Sequence, residues 1–407
     1  MKSAASGSNS VEIGKRNRHL VLDVIRTHEP VSRSEIARLT GLTPATITNI
    51  VGKLQKDRLV EEIGLGQSTG GRKPGLLQLA RNSRLAIAVD LAATELMVAL
   101  TNVKGEILRR SKREIVTEIA VMVPRILDAI QEVMTCPEVG GATIVGIGVT
   151  TPGLIDQATG TIIKSVRLDW YHVPLKSIVQ RHFEVPVFVG KDTTTAILGE
   201  QWYGAARHAN NLIYVWVGTG IAVGILLDGR VYAGATGMAG EFGHTSIEWN
   251  GARCRCGNEG CLEGLASLEA IATKAASRAL SEEDAVTREK LASETRARVD
   301  ARVEPFAVLD AACTGDPRAC EIVREAGRHL GVGIANLINL FNPEHIVIGG
   351  QIRPKDKEFI DTAIEVAKSR VLPEPGSSVT ITVSDFGQDA GLIGAAALVW
   401  REVLGSS

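Results

Sequence analysis

Gly240-Glu241-Phe242-Gly243-His244 and, ten residues on, Cys254-Arg255-Cys256-Gly257-Asn258-Glu259-Gly260-Cys261-Leu262-Glu263 form the stretch around which the chain is organised. One histidine and three cysteines fall within eighteen residues, the cysteines in a Gly-rich knuckle of pattern C-x-C-G-x-x-G-C. Glycine lets the backbone curl so that successive thiolates converge. Three thiolates and an imidazole make the ligand set of a tetrahedral structural zinc. His244, Cys254, Cys256 and Cys261 would fill the coordination sphere and leave no place for an activated water. The metal therefore locks a loop and does no chemistry. Free buried cysteines or a disulfide are the alternative reading. The same loop holds Glu241, His244 and Glu263 near one another. Two carboxylates beside an imidazole suit a hydroxyl-rich ligand, or else the carboxylates orient the metal ligands.

The whole chain has 407 residues, enough for two or three domains with sizeable cores. Aromatics make up only 4% and glycines number 42, which favours a small-residue α/β architecture over a β-sandwich. The net charge of −1 conceals an asymmetry. Residues 1–84 hold 14 Lys/Arg against 7 Asp/Glu, a net of +7, and the remainder carries −8. A basic head on an acidic body points to a polyanion partner for the head alone. Six cysteines, half of them in the knuckle, fit a reducing compartment. Cys136, Cys313 and Cys320 are expected to be ordinary buried thiols. The polar start Met1 to Ser10 is no signal peptide. The longest apolar stretch, Leu212 to Leu227, is interrupted by Gly218, Gly220 and Gly224 and is too short for a membrane span. A cytoplasmic protein without membrane contact is expected.

Residues 17–58 read as three helices. The first, from about Asn17 to His28, has Leu20, Val21, Val24 and Ile25 on one face, and Pro30 ends it. Ser32-Arg33-Ser34-Glu35 is a capping box opening the second, which turns Ile36 and Leu39 inward and stops at Gly41. Thr43 caps the third with Pro44 at its first position, and Ile47, Ile50, Val51 and Leu54 form its buried stripe. Thr46, Asn49 and Lys53 fall on the opposite face, with Ala45 and Thr48 alongside. This is a helix-turn-helix whose outer face is small and polar, suited to base edges in a major groove. A helical hairpin used for protein contacts is the alternative. Strand Leu59 to Ile63, a Gly-rich loop bearing Arg72 and Lys73, and return strand Leu76 to Leu79 make a wing. Its cations suit phosphates or a narrow minor groove. The expected DNA contacts are thus Thr43, Ala45, Thr46, Thr48, Asn49, Lys53, Arg72 and Lys73.

After Asn82 the pattern turns to buried strands. Leu85 to Val89 ends in Asp90, Leu96 to Leu100 follows a turn, and Glu106 to Arg109 follows Lys104-Gly105. The plan repeats about 125 residues later in Leu212 to Val217, Ile221 to Leu227 and Arg230 to Ala233. Between the copies lie helix Glu118 to Thr135, strands Thr143 to Val149 and Val185 to Val189, and helix Thr193 to Tyr203. Helices from Ser267 to about Leu340 and strand His345 to Ile348 follow. A final helix, about Ala390 to Val403, packs back on the first half. The repetition predicts a duplicated α/β fold with a ligand cleft between halves. The expected domains are a DNA-binding head at 1–80, a first lobe at 81–195 completed by 386–407, and a second lobe at 196–385 carrying the knuckle and helical dimerisation segments.

Several motifs carry a family resemblance: Gly146-Ile147-Gly148 to Pro152-Gly153, Leu168-Asp169-Trp170, Asp192 to Glu200, Gly218-Thr219-Gly220, Gly240 to His244, the knuckle, and Asn342-Pro343-Glu344-His345 to Gly350. In these, residues 85–407 resemble the ROK family of sugar-responsive repressors and sugar kinases, and the head resembles that of the family's repressors. The resemblance implies a two-lobed, actin/hexokinase-like fold with an N-terminal winged helix-turn-helix domain. It implies zinc at His244, Cys254, Cys256 and Cys261, and sugar contacts at Gly153, Asp192, Glu241, His244 and Glu263. Lys191 and Thr194 replace two asparagines that flank the Asp192 position in the kinases. Lys191 suits an anionic group such as a sugar phosphate, or else reaches a sugar hydroxyl or Asp192 itself.

Departures from the kinases separate the two classes. Ala92-Ala93-Thr94 stands where the kinases have Gly-Gly-Thr, and Ile221-Ala222-Val223 follows Gly218-Thr219-Gly220 where they continue with glycines. Each added Cβ is expected to crowd a phosphate, with Ala92, Ala93, Ala222 and Val223 as the obstacles. The reading is a non-enzymatic repressor, dimeric or a dimer of dimers, on an inverted-repeat DNA operator. Its effector is a sugar or sugar phosphate. The alternative is an ATP-dependent sugar kinase with Asp192 as general base, fused to a DNA-binding head.

Overall fold

Apolar runs bounded by Gly, Asp and Pro become the strands of two five-stranded sheets built on one plan. The structure is a computed structural model and describes residues 5–65, 74–92, 95–207, 209–282 and 304–404. The chain divides into two units: residues up to Tyr203 together with those from Gly391 onward, and Gly204–Ala390. The helix Asp192–Tyr203 thus stays whole in the first unit, whereas the expected boundary at 195 would cut it.

The first unit begins with the head. Helix Ala5–His28 starts twelve residues before the expected Asn17. Its inward face carries Val21, Leu22, Val24 and Ile25, and the expected Leu20 is 40% exposed. Helix Arg33–Thr40 is capped by Ser32, whose Oγ accepts from the Glu35 N–H at 3.2 Å. It ends on Gly41 at φ +69°, a left-handed position that suits glycine. Ile36 is buried, but Leu39, expected to face inward, is 38% exposed. Helix Pro44–Lys56 buries Ile47, Val51 and Leu54 completely, and Ile50 only half. Strands Val60–Leu65 and Gly75–Leu79 pair antiparallel, and Val31–Ser32 adds a third strand on the other side of Gly75–Leu79. Ser32, read only as a cap, thus also belongs to the sheet. The tip with Arg72 and Lys73 lies outside the described residues.

The first five-stranded sheet runs in the order Val187–Lys191, Thr143–Thr151, Arg84–Leu91, Glu95–Asn102, Ile107–Glu114. The first three are mutually parallel and the last two complete an antiparallel meander. Helix Ile119–Met134 covers one face with Met122, Ile126, Ala129, Ile130 and Val133 buried. Met122, Ile126, Ile130 and Val133 each contribute about 1.5–3 kcal/mol by leaving water. A small antiparallel sheet, Leu154–Asp156, Thr161–Ser165 and Trp170–Val173, went unread in the sequence. The last helix, Ala390–Leu404, packs on this unit: a Cβ on Gly148 would meet the Ala395 carbonyl oxygen at 2.1 Å.

The head is fastened to the helix Asp192–Tyr203 and to the turn after strand Glu95–Asn102. The Arg26 guanidinium lies 4.7 Å from the centre of the Trp202 ring, and its Nη1 donates to the Trp202 carbonyl at 3.5 Å. Glu29 pairs with Lys104 through one carboxylate oxygen and accepts from the Leu79 N–H at 2.8 Å through the other.

The second unit repeats the plan in the order Arg230–Val231, Ile221–Leu227, Leu212–Val217, His345–Gly350, Thr380–Val383, again a meander followed by two parallel strands. Helices Leu268–Glu282, Pro305–Cys313, Pro317–Phe341 and Lys357–Arg370 pack against it, with Leu330, Ile334, Ile338 and Phe359 fully buried. Cys320 is buried as expected, Cys136 is half-buried, and Cys313 is exposed, contrary to expectation. Cys313 sits on the outer side of its short helix, its Sγ 3.2 Å from the Lys355 carbonyl. Among the described residues no helix is long and apolar enough to cross a membrane.

Candidate functional site

In the second unit the knuckle converges as its spacing predicts. One ligand atom from each of His244, Cys254, Cys256 and Cys261 lies within 4.8 Å of every other. Cys256 Sγ and Cys261 Sγ are 3.7 Å apart, and Cys254 Sγ is 3.8 Å from His244 Nδ1. A tetrahedron with metal–sulfur bonds of about 2.3 Å has sulfur–sulfur edges of about 3.8 Å, so the donor set fits zinc. Backbone bonds hold the curl: the Cys254 N–H donates to the Asn258 carbonyl at 2.7 Å, and the Gly257 N–H to that of Cys254 at 2.9 Å. The hydrogen bond from the Asn258 backbone lowers the Cys256 pKa. Burial pushes the Cys261 thiol up to about 12. A bound cation is what brings such a thiol to the thiolate.

Glu263 ties the knuckle to the sheet. Its Oε1 accepts from Arg255, between two of the cysteines, at 3.1 Å, and its Oε2 accepts from the Ile221 N–H at 3.0 Å. Glu241 is exposed and borders a pocket of about 620 Å³ with Val223, Ile225, Phe242, Leu337 and Leu340. His244 follows on the same short helical turn, its N–H donating to the Glu241 carbonyl at 3.1 Å.

The turn Gly218-Thr219-Gly220 joins strands Leu212–Val217 and Ile221–Leu227. Val223 is 2% exposed and points into the core, and Ala222 pairs with Trp216 in the ladder. Three N–H groups at the turn are taken by the chain itself. Gly218 donates to the Gly220 carbonyl at 2.9 Å, Thr219 to the Gln351 side-chain oxygen at 3.1 Å, and Ile221 to Glu263. Gln351 carried no signal in the sequence, being 132 residues from Thr219. The corresponding Ala93 and Thr94 in the first unit lie outside the described residues.

The first unit gathers a second group of candidates at the carboxyl ends of its parallel strands, where α/β sheets bind ligands. Register aligns Asp90 with Thr150, and Thr151 with Lys191. Asp192 then opens its helix, with Oδ1 accepting from the Thr193 N–H at 2.7 Å. Gly153, at φ +121°, leaves the same edge, and a Cβ there would sit 2.5 Å from the Lys164 carbonyl. Asp90, read only as the end of a strand, belongs to this group. Its residue keeps some exposed surface, but its carboxyl packs against Gly391, where a Cβ would lie 2.1 Å from Oδ2. Desolvation first, and the Asp192 charge second, raise its pKa to about 7.

The outer face of helix Pro44–Lys56 presents Ala45, Thr48, Asn49 and Lys53 exposed, with Thr46 half-buried. The Thr43 hydroxyl accepts from the Thr46 N–H at 3.3 Å and lies 2.9 Å from the Thr46 hydroxyl. Thr48 donates to the Pro44 carbonyl at 2.9 Å. Those hydroxyls are engaged in fixing the helix start, which leaves Asn49 as the amide on this surface, the side-chain type that pairs bidentately with adenine.

Comparison with known proteins places these features. A ROK family profile matches residues 86–402, and a MarR family profile matches 15–66. The xylose repressor of Caldicellulosiruptor bescii is 33% identical over 95% of this chain and 96% of its own length. A glucokinase of Halalkalibacterium halodurans is also 33% identical, over 79% of this chain and 96% of its own length. The crystal structure of a ROK family transcriptional regulator, a homologue of the Escherichia coli MLC protein, superposes with a TM-score of 0.80 at 30% identity, covering 97% of each chain.

Proposed function

The chain belongs to the ROK family, and on that footing we propose that it is a sugar-responsive, DNA-binding transcriptional repressor of carbohydrate-metabolism genes rather than an enzyme. The observation that carries this is the head: a MarR-type segment with a capped helix whose polar face, Asn49 included, is exposed. A kinase has no use for such a helix, and the glucokinase match leaves about a fifth of this chain uncovered. Thr43, Ala45, Thr46, Thr48, Asn49 and Lys53 approach the operator, and Arg72 and Lys73 add wing contacts.

Zinc is the resident metal, held by His244, Cys254, Cys256 and Cys261, and its part is structural. The knuckle then positions Glu241 and Glu263 to accept from sugar hydroxyls and the metal-bound His244 to donate its other ring N–H; Gly153, Lys191 and Asp192 are the further proposed effector contacts. Lys191 offers a cation to a sugar phosphate. One head reads few base pairs, so a two-fold homodimer, or a dimer of dimers, on an inverted repeat supplies the affinity and the half-site spacing. The effector favours an arrangement whose heads no longer match that spacing.

The test is an operator-binding titration of the full chain, with and without a panel of pentoses, hexoses and their phosphates. One member of the panel should shift the midpoint at least tenfold, and Asp192→Asn should abolish the shift while leaving operator binding intact. A full chain that binds no DNA, or that phosphorylates a hexose with ATP, refutes the reading.

A further inference from the structure

We infer that Gln351 is the residue that closes the Gly218-Thr219-Gly220 turn to phosphate. The inference rests on the repressor reading above and deepens it. A turn of this kind, at the joint of two strands, binds anions through successive backbone N–H groups aimed at one point. Here three donors at the turn are spent internally. Gly218 donates across the turn to Gly220, Thr219 donates to Gln351 Oε1 at 3.1 Å, and Ile221 donates to Glu263 Oε2 at 3.0 Å. The neighbouring strand end is shut in the same way. The Gly350 N–H donates to the Tyr214 hydroxyl at 2.9 Å, and the Gln351 N–H donates to the Val217 carbonyl at 2.8 Å.

Gln351 differs from the other acceptors. It lies just past the strand His345–Gly350, and its side chain lays an amide oxygen over the turn, where a phosphate oxygen would go. That oxygen stands 2.7 Å from where a Cβ on Gly218 would be, so the space above the turn is filled as well as its donor satisfied. An acceptor of modest charge thus mimics the anion and excludes it. Glu263 performs the same service for Ile221, but its second oxygen is held by Arg255 in the knuckle, and it also stands among the candidate effector contacts. Gln351 is free of that second duty and is the clean place to test the idea.

The experiment titrates the zinc-loaded full chain with inorganic tripolyphosphate and follows the tryptophan fluorescence, with Trp216→Phe in the same backgrounds to isolate the Trp216 signal. The Trp216 Nε1 lies 3.0 Å from the Cβ position on Gly218, close enough to report an anion at the turn. Wild type should show no saturable change. Gln351→Ala frees the Thr219 N–H and the volume above it, and should bind tripolyphosphate at least about tenfold more tightly, the factor expected when an anion gains one charge-assisted hydrogen bond. Gln351→Ser serves if the alanine variant does not fold, and operator binding verifies that either variant is intact. Gln351→Glu, with the same shape and a full negative charge, should stay closed. Saturable binding to wild type, or no gain in a folded Ala or Ser variant, overturns the inference. The second outcome leaves the repressor reading standing, whereas hexose phosphorylation by wild type removes that reading itself.

Discussion

Asp90→Asn should make the first unit more stable at pH 8 and leave it nearly unchanged at pH 4. Asp90 titrates near 7 in the folded chain, whereas an unfolded aspartate titrates near about 3.9. Below the lower value both states carry the proton. Between the two values only the folded state carries it, so unfolding releases a proton and rising pH erodes stability. Above about 7 the erosion is complete. The interval spans roughly three pH units at about 1.4 kcal/mol each, which sets a ceiling of about 4 kcal/mol. Local relaxation around a new charge reduces this, and about 2 kcal/mol is the working expectation. Asparagine has the same shape against Gly391 and carries no charge, so it removes the slope. For a unit of this size 2 kcal/mol corresponds to about 4–8 °C in Tm. Thermal unfolding of both proteins from pH 4 to 8 is the assay, with hydrogen exchange of the Arg84–Leu91 strand locating the change in the first unit. A Tm difference that stays constant over this range refutes the argument. A wild type that gains on the variant as pH rises would mean that Asp90 is ionised and paired. Asp192→Asn should move the wild-type slope to lower pH, because the Asp192 charge is the second cause of the shift.

Cys256→Ser should release zinc and abolish the effector response while the head still binds DNA; metal analysis of the reduced wild type must find one zinc per chain for this to hold. Asn49→Ala should cost about 1–3 kcal/mol on the operator and little on scrambled DNA, and equal losses on both would show that Asn49 contacts no base. Gly148→Ala places a Cβ 2.1 Å from the Ala395 carbonyl, backbone against backbone, and should destabilise the first unit by about 1–3 kcal/mol, read as a lower Tm with the DNA head unaffected.

The parts legible in the sequence are those fixed by local chemistry. Cysteine spacing disclosed the knuckle, and Thr43-Pro44 and Ser32-x-x-Glu35 disclosed two helix starts, because caps and ligand loops satisfy themselves within a few residues. The duplicated meander was legible because buried strands read as unbroken apolar runs between turn residues. What escaped depends on partners far along the chain. Val31–Ser32 is a strand only because Leu76 and Leu77 lie beside it. Leu20 and Leu22 are both apolar, and which one faces inward is decided by the elements the helix packs on. The contact of Gln351 with the Gly218-Thr219-Gly220 turn escaped because it comes from just past the strand His345–Gly350, 132 residues away. The raised pKa of Asp90 comes first from burial, its carboxyl packed against Gly391, and second from the Asp192 charge, and neither partner is near it in the sequence.

The helix Asp192–Tyr203 has a candidate effector carboxylate at one end and, at the other, the tryptophan that carries Arg26 of the head. Its twelve residues span about 18 Å at 1.5 Å each. Thr193, Thr195 to Glu200 and Trp202 are all buried, which denies the segment room to bend. A rod of that kind conducts motion without absorbing it. A ligand that drew Asp192 along the rod's axis would push or pull on Arg26 by nearly the same distance. Arg26 sits near the end of the long helix that feeds directly into Val31–Ser32 and the Ser32 cap. Because Lys104 pins Glu29, just past the end of that helix, that push has an off-axis fulcrum. A sub-ångström translation at the sheet edge would therefore leave the head as a rotation, and rotation is the motion that takes a recognition helix out of register with its groove.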